Sequence, residues 1–226
     1  MSQSPVTHSS ATFAYVAPFV AFVAVMALER VLALPLQWLY PARFAIVLAI
    51  VLVFSRPYLT SRPGSPVASI VIGLVVFGIW IAPDLLFGYR NTFLFNNGLT
   101  GAAKSSLPPG LRQNAAFLVL RCVSAFALVP VVEELFWRGF LMRWLIRTDF
   151  LKVPLGTWSA YSFWIVAILF ASEHGPYWEV GLLAGIVYNW WIVRTRNLAD
   201  CILAHAVTNA ALCAWVLYTG QWQYWM

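Results

Sequence analysis

The sequence predicts an all-α, polytopic transmembrane helical bundle of seven to eight spans, and three observations carry that prediction. Hydrophobic residues fill 62% of the 226 positions and charged residues only 10%, whereas a soluble domain carries about a quarter charged residues. Mean hydropathy is +0.78, with the apolar residues gathered into runs near the ~20 residues a helix needs to cross a bilayer. Between the runs lie segments rich in Arg, Pro, Ser and Gly, and Trp and Tyr collect near the run ends as an interfacial belt does. No stretch is polar enough for long enough to build a soluble domain.

Taken in order, the first predicted span covers 11–28. No basic stretch precedes it, so a cleaved signal peptide is not expected. The second covers 41–54 and borrows "LQWLY" to reach full length; "SRPYLTSRPGSP" then reads as a loop. The third covers 67–82. A long connection follows, whose Asn-Gly, Thr-Gly and Pro-Pro-Gly punctuation predicts loop rather than span. From 115 to 147 runs a helical pattern too long for one crossing. Pro130 is expected to kink it, and its last part, with Arg138, Arg143 and Arg147, to bend along the interface. Spans five to seven cover 158–172, 177–193 and 198–218. The chain thus reads as one membrane domain, 1–226, with N-terminal spans and the long connection in 1–114 and a core in 115–218.

The formal charge is +6, from 14 Lys and Arg against 8 Asp and Glu. These cations lie mostly between spans, where they set topology and meet anionic headgroups, so nucleic acid is not expected as a partner. Alternating the spans puts Arg56, Arg62, Arg138, Arg143, Arg147, Lys152, Arg194 and Arg196 on one side. Fewer fall opposite: Arg30, Arg43, Arg90, Lys104 and Arg112. That bias predicts a cytoplasmic N-terminus. Cys122, Cys201 and Cys213 lie in apolar segments at no ligand-like spacing and read as small core residues. The closing "YWM" is no prenylation box.

Ionisable groups within spans are costly and face a bundle interior or cavity. In the C-terminal half these are Arg121, Glu133, Glu134, Arg138, His174 and His205, joined by the amide of Asn209. Glu134 and Arg138 are four apart, share a helix face and pair. Glu133 lies about 100° round the helix and is left over. His205 and Asn209 are again four apart and point together into the bundle. A carboxylate in a low-dielectric pocket beside an imidazole suits general-base work on a water, and a histidine with an amide one turn away suits stabilising an oxyanion. Each group also has a structural reading: Glu134–Arg138 as a packing pair, Asn209 as interhelical glue, Arg121 as a snorkelling cation. Glu173 and Glu179 read as solvated loop acids.

"EELFWR", "FASEH" and "HAVTN" stand in the order of the EExxxR, FxxxH and HxxxN motifs of the CPBP intramembrane endopeptidases, the relatives of the CAAX-processing protease. The chain resembles that family over about 118–214. The wording "VVEELFWRGFLMRWLI" further resembles the bacterial exosortase/PEP-CTERM-associated CAAX protease-like subgroup. The resemblance implies that Glu133 activates the water with His174 as its partner. It casts His205 and Asn209 as the oxyanion hole, and Glu134 with Arg138 as supports. It also implies an intramembrane endopeptidase, multi-pass in a bacterial inner membrane, that cuts a membrane-anchored protein or peptide without a cofactor. Two alternatives stand beside it. One is a zinc metalloprotease using Glu133, His174 and His205. The other is a non-catalytic membrane protein that binds or transports peptides. Counting residues from the loops sets Glu133 and His174 at different depths, so a shared site requires a displaced fifth helix or a deeper segment around Pro130.

Overall fold

The computed structural model describes residues 8–32, 35–97 and 104–225; the Thr-Gly pair at 100–101 and Met226 lie outside them. Among the described residues the long elements are all helical. They are α1 (His8–Leu32), α2 (Leu36–Ile50), α3 (Pro66–Phe87), α4 (Ala115–Trp144), α5 (Ala160–Ser172), α6 (Trp178–Thr195) and α7 (Leu198–Thr219). Five of them, α1 to α4 and α7, are long and apolar enough to cross a membrane. The protein is an integral membrane helical bundle. α2 starts at Leu36, the head of the "LQWLY" that the second span borrows, and continues through a π-helical turn, Val51–Ser55. α4 ends at Trp144, and Arg143 near its end folds back. Its Nε donates to Gly139 O at 2.6 Å and its Nη1 to Val153 O at 3.3 Å, so the cation is buried.

Helix ends follow local chemistry. α3 begins with Pro66, whose missing N–H costs nothing in a first turn, and ends at Gly88 with φ of 58°, a left-handed closure that favours glycine. Asn114 and Asn197 cap α4 and α7 by accepting from Phe117 N and Ala199 N.

Two close approaches hold the N-terminal helices to the rest. At Gly73 of α3, a Cβ would collide with Ala204 O and sit 2.7 Å from Val207 Cβ of α7. The missing side chain lets the two backbones meet, as small residues do in membrane interfaces. Thr208 Oγ1 donates to Gly73 O across this seam at 2.8 Å. At the start of both helices the buried carboxylate of Asp200 accepts from Gly64 N, Ser65 N and Ser69 Oγ. On α1, Tyr15 covers Gly139 of α4, and Phe19 stacks on Phe136 at 4.1 Å.

α4 and α7 run antiparallel in contact, and polar side chains join them at successive levels: His205 to Glu134, then Asn209 to Ala125. α4 is not uniformly α-helical. Two π-helical stretches, Ser124–Leu128 and Leu135–Leu141, flank the α-turns that carry Glu133 and Glu134. Such bulges concentrate at functional positions. Pro130 explains the partner of Asn209. In the i to i−5 register seen at Val129, whose N–H bonds Ser124 O, residue 130 would donate to Ala125 O. Proline has no N–H. Asn209 Nδ2 donates to that carbonyl instead, at 2.8 Å, as a buried backbone acceptor in lipid requires.

Candidate active site

Glu134 and Arg138 are fully buried, and Arg138 Nη1 donates to Glu134 Oε1 at 3.0 Å. The pairing read from the four-residue spacing is present. One carboxylate cannot satisfy a guanidinium with five N–H donors, and two further acceptors bring its bonds to three. Asn189 Oδ1 of α6 accepts from Nε at 2.9 Å, and Gly185 O accepts from Nη2 at 3.3 Å. Asn189 in turn donates to Phe163 O of α5 at 2.8 Å. Arg138 also lies 4.6 Å from the Phe170 ring centroid. It is therefore the post to which α5 and α6 are tied. The sequence reading passed over Asn189, although an amide inside "VYNWW" carries the same signal that singled out Asn209.

His205 joins this network through its other face. Its Nδ1 lies 2.9 Å from Glu134 Oε1. A carboxylate accepts, so Nδ1 bears the proton of this bond, and in the neutral ring Nε2 would present a lone pair. Nε2 points at Glu133, whose Oε2 is 4.0 Å away. Tyr188 stacks on the His205 ring at 5.1 Å and donates to Thr208 Oγ1, which fixes the ring from the side. Tyr188 and Thr208 were also missed; nothing in their spacing marks them. Glu133 Oε2 and Glu134 Oε2 are both buried with no hydrogen-bond partner.

His174 stands one ring away. Its Nδ1 donates to Phe170 O at 2.7 Å, leaving Nε2 as the lone-pair nitrogen. Its ring is 4.8 Å from Phe170, which is 6.1 Å from His205. The depth conflict resolves because α5 is short. At 13 residues it spans about 20 Å, so its C-terminal end brings His174 towards the level of His205. His205 Nε2 lies 4.0 Å from Glu133 Oε2; the resemblance gives His174 as the partner of Glu133. Gly181 of α6 makes room for His174: a Cβ there would sit 2.9 Å from its Cγ and Nδ1.

Two more groups shape the site. Trp137, one turn after Glu133, buries its indole N–H without an ordinary hydrogen bond, and the carboxylate facing it is Glu173. The segment after His174 is clamped by Arg90 from the long connection. Arg90 Nη1 donates to Pro176 O at 2.7 Å and Nη2 to Glu179 Oε1 at 2.7 Å; Nε lies 3.4 Å from Asp84 Oδ2, and the guanidinium sits 3.9 Å over Tyr177. Glu179 is therefore a paired, largely buried acid, not the solvated one its loop position suggested. It also accepts from Tyr89 OH at 2.8 Å, and burial together with that bond pushes the Tyr89 hydroxyl up to about 12. Among the described residues, no group of three His, Cys, Asp or Glu side chains converges as a metal ion requires. Asn209 sits one turn from His205, with one of its two amide hydrogens committed to Ala125 O.

A buried carboxyl group and an imidazole nitrogen face one another across 4.0 Å inside a helical membrane bundle, on a scaffold locked by a buried arginine. That defines a membrane-embedded acid–histidine centre. Residues 115–211 match the family model described as type II CAAX prenyl endopeptidase Rce1-like, and this segment carries Glu133, Glu134, Arg138, His174, His205 and Asn209. No curated protein and no solved structure matches the chain.

Proposed function

We propose that the protein is an intramembrane endopeptidase that hydrolyses a peptide bond of a membrane-anchored protein or peptide, with Glu133 as general base. One observation carries the reading: the unpartnered Glu133 Oε2 faces His205 Nε2 across 4.0 Å. An oxygen set to one side of that gap lies about 2.8 Å from both atoms, an ordinary hydrogen-bond length. Because both atoms accept, they take the two hydrogens of a single water and leave an oxygen lone pair for the scissile carbonyl. Glu133 removes the proton and returns it to the leaving amine. Glu134 holds His205 in the required tautomer, so that Nε2 keeps the second water hydrogen as an acceptor, while the protonated Glu133 donates to the tetrahedral oxyanion before passing its proton to the leaving amine. Arg138 keeps Glu134 aimed. His174 Nε2 is a second acceptor at the rim, and the free amide hydrogen of Asn209 a second donor.

Zinc chemistry in the same fold is the competing mechanism, with Glu133, His174 and His205 as ligands. The orientation of His205, whose Nδ1 is committed to Glu134, leaves only Nε2 for an ion. A peptide binder without catalysis is the competing function. The test uses detergent-purified protein and a quenched library of membrane-anchored peptides, comparing wild type, Glu133→Gln and Glu134→Gln with and without a strong chelator. Cleavage abolished in Glu133→Gln and indifferent to chelator is expected. Loss on chelation with recovery in zinc overturns the glutamate mechanism, and no cleavage by wild type moves the binder ahead.

A further inference from the structure

Packing differs on the two sides of the glutamate–histidine centre. One turn before His205 on α7, Cys201 is fully buried, and so is Arg138, one turn after Glu134 on α4. Asn189 of α6 is likewise closed off, and Met142 and Ile192 pack beyond it. This end of the bundle is capped: Asn197 donates to Arg62 O, and Arg143 to Val153 O. In the opposite direction the packing loosens. His174, after the short α5, is half-buried and Glu173 beside it is exposed. Asn209, one turn after His205, is half-buried and lines a cavity of about 510 Å³. That cavity runs along α4 past Val129, one turn before Glu133, and Ala125, and reaches Ser106, Pro108 and Trp225. Ser106 N donates to Trp225 O, joining the long connection to the segment after α7. The cavity is therefore a vestibule entered from that end of the bundle.

The two ends also differ in charge. Among the described side chains, six exposed cations stand at the capped end: Arg56, Arg62, Arg147, Lys152, Arg194 and Arg196. Lys152 stays exposed although it pairs with Asp149. At the vestibule end the cations are drawn inward. Arg43 pairs with Glu29 at 2.9 Å, and Arg90 is buried against Asp84 and Glu179. Arg121 is buried with partners of its own, among them Ser106 Oγ and the rings of Tyr40 and Trp225. Lys104, the half-buried Arg112 and, by its place on α1, Arg30 complete that end. Lys and Arg near span ends favour the cytoplasmic side, which makes the capped end cytoplasmic. α1 starts at the same end, where Ser55 Oγ at the close of α2 donates to Ala14 O.

We propose that the centre opens to the non-cytoplasmic face and cuts membrane-anchored polypeptides at a bond already carried across the bilayer. Protein translocation is then the class of reaction that supplies its substrate. The substrate chain enters the vestibule from outside, where Phe22 and Leu39 offer an apolar wall, and reaches the centre past Asn209. The capped end keeps the cytoplasmic portions of the same anchored proteins away from Glu133. The orientation follows from packing and charge alone, whereas the cleavage rests on the endopeptidase reading above.

The experiment expresses the full chain in a bacterial inner membrane and treats spheroplasts, intact or permeabilised, with a charged, membrane-impermeant methanethiosulfonate. Wild type, whose Cys201 and Cys213 are buried and Cys122 half-buried, sets the background. Thr92→Cys reports the vestibule end and Thr148→Cys the capped end, both at exposed positions. Val129→Cys and Ala125→Cys, two probes on successive turns, report the vestibule itself. In intact spheroplasts Thr92→Cys and at least one vestibule probe are expected to react at least tenfold faster than Thr148→Cys, which catches up on permeabilisation. Faster reaction of Thr148→Cys in intact spheroplasts overturns the orientation. Vestibule probes that react only after permeabilisation, or never, while Thr92→Cys reacts from outside, overturn the opening. A single-span anchor then carries the best-cleaved peptide of the quenched library on its outer or its inner side. Wild type is expected to cut the outer one alone and Glu133→Gln neither; cutting of the inner one overturns the proposal. Cutting of neither, with labelling as expected, removes the endopeptidase reading and the substrate with it, and leaves the orientation standing.

Discussion

Asn209→Ala probes whether the amide serves the backbone of α4. It leaves Ala125 O, the acceptor of Asn209 Nδ2 at 2.8 Å, with no partner. An orphaned buried acceptor costs about 1–3 kcal/mol, while interhelical side-chain bonds in membranes average about 0.6 and reach about 1.7 kcal/mol. An expected loss of about 1–2 kcal/mol follows, and at about 2–4 °C per kcal/mol for a chain of this size the midpoint falls by about 2–8 °C. The decisive partner is Pro130→Ala. It restores an N–H at the position whose absence leaves Ala125 O open, so the backbone supplies the bond itself. In that background Asn209→Ala is expected to cost less than about 0.5 kcal/mol, giving a coupling of about 1 kcal/mol, above the 0.3–0.5 kcal/mol scatter of independent sites. The assay is thermal unfolding in maltoside detergent followed by tryptophan fluorescence, for wild type, both single variants and the double variant. Equal cost of Asn209→Ala in the two backgrounds refutes the argument that the proline created the vacancy the asparagine fills.

Two further outcomes test the neighbourhood of His174. Gly181→Ala places a Cβ 2.9 Å from the imidazole, where carbon contacts settle at about 3.5–4.0 Å; a displacement approaching 1 Å is expected to lower kcat by about 10- to 100-fold with the folding midpoint almost unmoved. Gly78→Ala, with nothing within 4 Å, serves as its control, and unaltered turnover in Gly181→Ala removes His174 from the reaction. Arg90→Met strips Glu179 and Asp84 of their cation and is expected to cost about 3–5 kcal/mol, with Arg90→Met/Glu179→Leu recovering much of it in the same unfolding assay; no recovery means that the clamp works through its Pro176 bond rather than its charges.

Much of the centre was legible because membranes make polar residues conspicuous. Glu134 and Arg138 were paired from their spacing, and Glu133 was singled out as the acid left over; both readings hold in three dimensions. What escaped was whatever depends on helix depth or on a third helix. Loop counting assumed that each helix fills the bilayer, and α5 at 13 residues does not; hence the conflict over His174. Asn189 escaped because the reading stopped once Arg138 had one partner, although a guanidinium needs several acceptors. The π-helical stretches of α4 escaped because the residues Ser-Ala-Phe-Ala-Leu of 124–128 are ordinary helix formers. Only Pro130 hinted at irregularity, and it predicted a kink rather than a wide turn. Glu179 was misread because a loop acid has no visible partner until Arg90, 89 positions away, is folded against it.

The carboxylate of Asp200 sets an order of events in biosynthesis. Its acceptors serve Gly64, Ser65 and Ser69, lying 131 to 136 positions earlier in the chain. A ribosome adds about 5–20 residues per second, so α3 enters the membrane on the order of 10 s before the residue that closes its first turn exists. During that interval the small-residue face at Gly73, which α7 later covers, is presented to lipid. The N-terminal helices thus form a waiting surface, and α7, emerging later, both brings His205 to the glutamate pair and fastens the first half of the chain to it.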